Sequence, residues 1–286
     1  MRLVTFESGV TPELGAVIGD DRIVPLSRTA PRLASDMIDL ISRWDAVGPE
    51  ARRIADAAAE SLPLAEVRLL APVPRPRKIM AIGLNYADHI AETGAPTPEH
   101  QIWFSKAPTA ANGPFAPVQI PKASRAVDYE AELVAVIGAG GRHISRAAAP
   151  SAVFGYCVGN DVSVRDWQNR TSQWVLGKSF DTHAPFGPWI TTADDLPDPH
   201  ALGIRCFVNG EKRQESNTRH LVFDVWAQLE HLSQAMTLEP GDVIFTGTPS
   251  GVGAAMNPRQ FLKAGDRVRV EIDRLGAIEA VMADEA

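Results

Sequence analysis

The sequence predicts an α+β fold dominated by strands, in which a small N-terminal α+β domain precedes a larger β-rich one. Three observations carry this. Short apolar runs rich in Val and Ile, broken by Gly, Pro and Asn, recur through the later part of the chain. Helical spacing is confined to a few stretches, the best being 223–236. Between the two parts lies Ala71-Pro72-Val73-Pro74-Arg75-Pro76-Arg77, whose alternating prolines hold the backbone extended and cannot continue a helix or a central strand. The chain has 286 residues; at ~150 residues per domain this allows two domains, or one large domain with a small appendage.

Residues 1–70 read as the small domain. Leu3-Val4-Thr5-Phe6, Leu14-Gly15-Ala16-Val17-Ile18 and Arg22-Ile23-Val24-Pro25-Leu26 are short strands, the last two joined by the turn Gly19-Asp20-Asp21. Two short helices follow: Met37, Leu40, Ile41 and Trp44 recur at helical spacing, and 50–60 is rich in Ala. After the linker at 71–77, the domain 78–286 holds strand-like runs at 78–83, 130–138, 153–164, 186–191, 203–208, 242–246 and 267–272.

Composition excludes several classes. Hydrophobic residues at 45% and charged residues at 22% are ordinary for a globular chain and too rich in apolar groups for disorder. The net charge of −7, with no run of Lys or Arg, argues against nucleic acid and anionic membranes as partners. No uncharged apolar stretch approaches the ~20 residues of a membrane span, and the first residues lack the apolar core of a signal peptide. Cys157 and Cys206 sit in apolar surroundings and read as reduced, intracellular core residues, so a cytoplasmic location is expected.

Three motif readings fail. Val134-Ala135-Val136-Ile137-Gly138-Ala139-Gly140-Gly141 looks like a strand entering a glycine loop, but the dinucleotide register puts its third glycine at His143. Gly247-Thr248-Pro249-Ser250-Gly251-Val252-Gly253 lacks the Gly-Lys pair of a phosphate loop and the flanking glycines of a nucleophile elbow. No two histidines have zinc spacing.

The informative segment is Val127-Asp128-Tyr129-Glu130-Ala131-Glu132-Leu133-Val134-Ala135-Val136-Ile137. In a strand, Glu130, Glu132, Val134 and Val136 share one face, so two carboxylates point the same way roughly 7 Å apart from a run that is otherwise apolar on both faces. Burying them costs desolvation and repulsion that a divalent cation offsets. The run 153–164 brings a third acid, Asp161, on a face whose other residues (Gly155, Cys157, Gly159, Ser163) leave room for a ligand. All-oxygen donors suit Mg2+ or Mn2+, with Ca2+ also admissible. Two bland arrangements stay open on spacing alone: the acids pair with Arg125, Arg142 or Arg165, or the first strand is an edge with its glutamates in water.

From Lys78 to the carboxyl end the chain resembles the fumarylacetoacetate hydrolase family. The resemblance rests on Ile82-Gly83-Leu84-Asn85-Tyr86 followed by His89 and Glu92, on Tyr129-Glu130-Ala131-Glu132, Gly159-Asn160-Asp161-Val162, Arg165-Asp166 and Lys178-Ser179-Phe180-Asp181, and on the run from Gly241 through Gly247-Thr248-Pro249. It implies a mixed β-roll catalytic domain, Mg2+ or Mn2+ dependence and a homodimer. It implies Glu130, Glu132 and Asp161 as metal ligands, His89 and Glu92 as an acid–base pair, and Lys178 as a charge beside a developing enolate. Thr248 is implied to contact the substrate carboxylate, and Arg165 and Gln168 its distal end. Each has a plain alternative: His89 a solvent-facing helix residue, Lys178 a surface charge, Thr248 a turn residue, Arg165 a partner of Asp161 or Asp166. Trp167 and Trp174 read as packing.

The expected function is hydrolysis of a carbon–carbon bond in a small 2,4-dioxo acid, an acylpyruvate such as fumarylpyruvate, giving pyruvate and a carboxylic acid. His89, supported by Glu92, takes the proton of water, and Lys178 and the metal stabilise the departing enolate. The alternatives within the family are oxaloacetate decarboxylation, isomerisation or hydration of 2-hydroxydienedioates, and ureidoglycolate cleavage; a non-catalytic metal-binding module is the remote one.

Overall fold

The computed structural model describes residues 1–58 and 60–286. Its centre is a 12-stranded mixed sheet whose core is built by strands buried on both faces. Ala131–Ile137 pairs antiparallel with Val153–Asn160 on one side and with Val243–Phe245 on the other. Ile79–Gly83 then runs parallel to Val243–Phe245, and Ile102–Lys106 closes that edge. In the other direction Ala184–Thr192 pairs with Val153–Asn160.

Side chains alternate along the central strand. Ala131, Leu133, Ala135 and Ile137 pack into one apolar cluster, while Val134 and Val136 enter the other. The first cluster is closed by a five-stranded sheet through Ile204, Cys206, Val268, Val270 and Ile272, and by the helix Val225–Ala235 through Val225, Leu229 and Leu232. Asp224 caps that helix by accepting from the Ala227 amide at 2.9 Å. The second cluster is closed by the helices Met37–Ser42 and Trp44–Asp56 through Leu40, Ile41 and Ile54.

Strands Arg2–Glu7, Glu13–Ile18 and Arg22–Pro25 form the N-terminal hairpin unit read from the sequence. They also extend the large sheet, since Arg2 and Leu3 pair with Thr191 and Ile190. Residues on either side of 71–77 therefore share one sheet and one apolar cluster. No helix among the described residues is long and apolar enough to cross a membrane. Both cysteines are free and buried, and burial pushes their thiols up from the ordinary range.

One expected strand is shorter than its apolar pattern. The run 153–164 leaves the sheet at Asn160, and Ser163–Val164 pairs instead with Val127–Asp128. The break is a turn in which the Val162 amide reaches the carbonyls of Asn160 at 3.0 Å and His183 at 3.1 Å. Asp161 stands in that turn and not on a strand face.

Candidate metal centre and active site

Sheet register assembles the acids. Ala131 lies opposite Asn160 and Glu132 opposite Gly159, so Glu130 and Asp161 are carried just past the ends of two paired strands. The Asp161 amide donates to the Glu130 carbonyl at 2.9 Å, and the Glu130 amide donates to Asn160 Oδ1 at 2.9 Å. Gly159 is small by necessity, because a Cβ there would stand 2.4 Å from Val134 Cγ2 and 2.6 Å from Phe245 Cε1. Glu130, Glu132 and Asp161 are all buried, with an oxygen of each within 4.8 Å of the others.

Of the two bland arrangements, the exposed edge is absent and the arginine pairing is met only in part, at Glu130. The strand is internal, and Arg125 and Arg142 go elsewhere, to Asp284 and the Gln234 carbonyl. Arg165 does pair, but with Glu130 at 2.7 Å and Asp128 at 2.8 Å, not with Asp161 or Asp166. Lys178 is no surface charge: it ends the helix Val175–Lys178, is buried, and donates to Glu130 Oε2 at 2.6 Å and Asp161 Oδ2 at 2.7 Å. A second buried lysine, Lys106, ends the strand Ile102–Lys106 and pairs with Asp161.

The buried cluster thus holds four carboxyl groups (Asp128, Glu130, Glu132 and Asp161) against three cations (Lys106, Arg165 and Lys178). Glu132 is the one left over. Its Oε2 accepts from the Gly247 amide at 2.7 Å, and no cation pairs with it among the described residues. Burial, then the charges of Asp161 and Glu130, push its carboxyl well above the usual range. Burial pushes Glu130 up as well, but Arg165 and Lys178 outweigh it and hold that carboxyl at about 2. Burial pulls the Lys106 ammonium down, whereas Asp161 and Glu130 keep Lys178 above its ordinary value against the same burial. An oxygen-only donor set with one carboxylate unmatched suits a hard divalent cation, so these residues fit the metal that their spacing suggests.

Around this floor opens a cavity of 530 Å³ lined by His89, Glu92, Glu130, Glu132, Arg165, Gln168, Lys178 and Thr248. His89 and Glu92 lie on the helix Ala87–Thr93, with Nδ1 3.1 Å from Glu92 Oε2. His89 is buried and does not face solvent as an ordinary surface residue. The other oxygen of Glu92 accepts from the Gly251 amide at 2.8 Å, which fixes the carboxylate. Thr248 follows Gly247, whose φ of +105° and close approach to Asn85 leave no room for a side chain. Gln214 Nε2 donates to Thr248 Oγ1 at 2.9 Å, freeing the hydroxyl hydrogen for another acceptor. Gln168 is held by Arg165 Nη1 at 2.9 Å. Trp174 packs beside Phe104, 5.5 Å between ring centres, and lines the cavity.

Sequence reading missed two of these groups. Lys106 shares a pleat face with the buried Phe104, and that period was the available signal. Asp128 lies in the segment read as a strand and has no role in that reading, yet its carboxylate accepts from the amides of Tyr129, Gly253 and Ala254 and from Arg165; nothing local announces that.

Residues 78–283 match the family described as Fumarylacetoacetate (FAA) hydrolase C-terminal. The chain is 44% identical over 283 residues to the mitochondrial oxaloacetate tautomerase fahd2 of Xenopus laevis, covering 97% of this chain and 89% of that one. It is also 44% identical over 283 residues to the human mitochondrial oxaloacetate tautomerase FAHD2A, covering 97% and 90%. Among solved structures, maleylpyruvate hydrolase from Sphingobium sp. SYK-6, in complex with manganese (II) ion and pyruvate, superposes with a TM-score of 0.84 at 36% identity, covering all of both chains. A fumarylacetoacetate hydrolase from Exiguobacterium antarcticum gives 0.87 at 35%, again over the whole of both. Sequence, fold and the acidic triad agree that the chain belongs to the fumarylacetoacetate hydrolase family.

Proposed function

We propose that this chain is a Mg2+- or Mn2+-dependent enzyme that interconverts the keto and enol forms of a small 2-oxo acid of the oxaloacetate type. The observation that carries the reading is one acid–base pair, His89 with Glu92, facing the same cavity as the carboxylate triad. Glu130, Glu132 and Asp161 would hold the metal, which when bound supplies Lewis acidity toward the 2-oxo acid end. Thr248 donates its free hydroxyl hydrogen to the substrate carboxylate. A proton on His89 Nδ1 donates to Glu92, leaving Nε2 to accept the proton from the carbon beside the carbonyl and return it to oxygen. Lys178, fixed between two carboxylates, adds positive charge where the enolate develops. The 44% identity to oxaloacetate tautomerases over nearly the whole chain supports this reading.

The second reading is hydrolytic cleavage of an acylpyruvate such as fumarylpyruvate, with His89 taking its proton from water. The similarity to a maleylpyruvate hydrolase that binds manganese and pyruvate favours it. One experiment separates them. Decay of enol-oxaloacetate absorbance and release of pyruvate from acylpyruvates are followed with Mn2+ or chelator, in wild type and His89→Asn. Metal-dependent ketonisation lost in His89→Asn supports the first reading. Acylpyruvate cleavage without ketonisation transfers the assignment to the second, and neither activity removes both.

A further inference from the structure

The catalytic cavity is lined by three permanently cationic side chains, Arg165, Lys178 and Arg259. Two are committed. Arg165 spans Asp128 and Glu130, and Lys178 spans Glu130 and Asp161. Arg259 makes neither an ion pair nor a hydrogen bond among the described residues, and it is exposed. Burial therefore orders the cavity: Glu130, Glu132 and Lys178 at its floor, Arg259 at its mouth.

The loop carrying Arg259 is tied down on both flanks. The amides of Gly253 and Ala254 donate to Asp128 at 2.8 and 3.0 Å, the Gln260 amide to the Gly253 carbonyl at 3.0 Å, and the Leu262 amide to the Val127 carbonyl at 2.8 Å. Arg213 Nη1 holds Gln260 Oε1 at 2.7 Å. Asp128 also accepts from Arg165 Nε at 2.8 Å, so one buried carboxylate fixes both the floor arginine and the mouth loop. Such anchoring limits the entropy lost when Arg259 engages a ligand. The remaining wall includes the apolar Ile82, Phe104 and Val252 and the uncharged polar Thr93, Asn169 and Trp174, none of which offers a substrate carboxylate a positive charge.

We infer that Arg259 binds a second carboxylate at the far end of the substrate, so that the site selects 2-oxo diacids over 2-oxo monoacids. A guanidinium without a partner is the group a carboxylate pairs with, through up to two parallel hydrogen bonds. Arg165, the group first expected at the distal end, is held by its own carboxylates. This inference rests on the 2-oxo acid reading above, and its test keeps the two apart.

The Mn2+-loaded full chain is titrated by calorimetry with pyruvate, 2-oxoglutarate and 2-oxoadipate, in wild type, Arg259→Gln and Arg259→Lys. Losing one charge-assisted contact at a partly solvated site weakens at least one diacid by about tenfold in Arg259→Gln. Arg259→Lys keeps part of that affinity, and pyruvate changes by less than about twofold in both variants. Diacid affinities that stay within about twofold in Arg259→Gln overturn the inference, as does an equal loss for pyruvate and the diacids; both leave the 2-oxo acid reading standing. A wild-type protein that binds none of the three removes that reading and the inference with it.

Discussion

Replacing Lys106 by Met removes a charge from a place where water cannot replace it. The side chains of Lys106 and Asp161 are fully buried and paired, and Lys106 Nζ also reaches the Val162 carbonyl at 3.2 Å. Methionine fills much of the same volume, so the change isolates the charge from the packing. Breaking a buried pair from one side costs about 3–5 kcal/mol. Lys178 still holds Asp161 Oδ2 at 2.7 Å, which sets the expectation at the lower end, about 3 kcal/mol. At ~2–4 °C per kcal/mol, the metal-free variant should melt roughly 6–12 °C below wild type. Four buried carboxyl groups then face two cations, so saturating Mn2+ should raise Tm more in the variant than in wild type. The assay is differential scanning calorimetry at pH 7 with chelator and with Mn2+. A fall of less than about 2 °C, with equal stabilisation of both proteins by Mn2+, would refute the role of Lys106 as a compensating charge.

Other expectations follow from the same geometry. Because the Glu132 carboxyl sits well above the ordinary range without metal, it retains a proton at pH values where a free glutamate has lost it. Coordination needs the carboxylate, so Mn2+ binding should release that proton and tighten as pH rises toward the raised value; binding heats in two buffers of different ionisation enthalpy measure the release, and zero protons contradicts it. Combining His89→Ala with Glu92→Ala should lower kcat little beyond His89→Ala alone, whereas fully additive losses dissolve the pair. Gly159→Ala places a methyl against Val134 and Phe245; it should cost about 1–3 kcal/mol in a denaturant titration, and a neutral result means that the strands beneath the triad can shift.

How much of this was legible in the sequence depended on whether the signal was local. Glu130 and Glu132 stood out because two acids at a period of two in an otherwise apolar run must be paired, solvated or metal-bound, and the strand is buried on both faces as expected. Asp161 was recognisable as a third acid, but its turn was not, because Val162, Ser163 and Val164 continue the apolar pattern past the end of the sheet. The strands Ile102–Lys106, Glu211–Asn217 and Gly276–Asp284 escaped notice, being partly exposed: the first and last carry Lys, Glu or Asp among their apolar residues, and Glu211–Asn217 has no apolar residue at all. Pairing of Arg2 and Leu3 with Thr191 and Ile190 spans most of the chain, and no local pattern encodes a partner so distant. Lys106 and Asp128 were hidden likewise, since the burial that makes them matter comes from elements far away in sequence.

Calorimetric titration of the metal-stripped protein with Mn2+ tests most directly whether Glu130, Glu132 and Asp161 hold a divalent cation. Wild type should bind one Mn2+ per chain, and Glu132→Gln, which removes the ionisable carboxyl without disturbing an ion pair, should stay folded and lose at least about tenfold in affinity. Equal affinity in the two proteins would contradict the assignment.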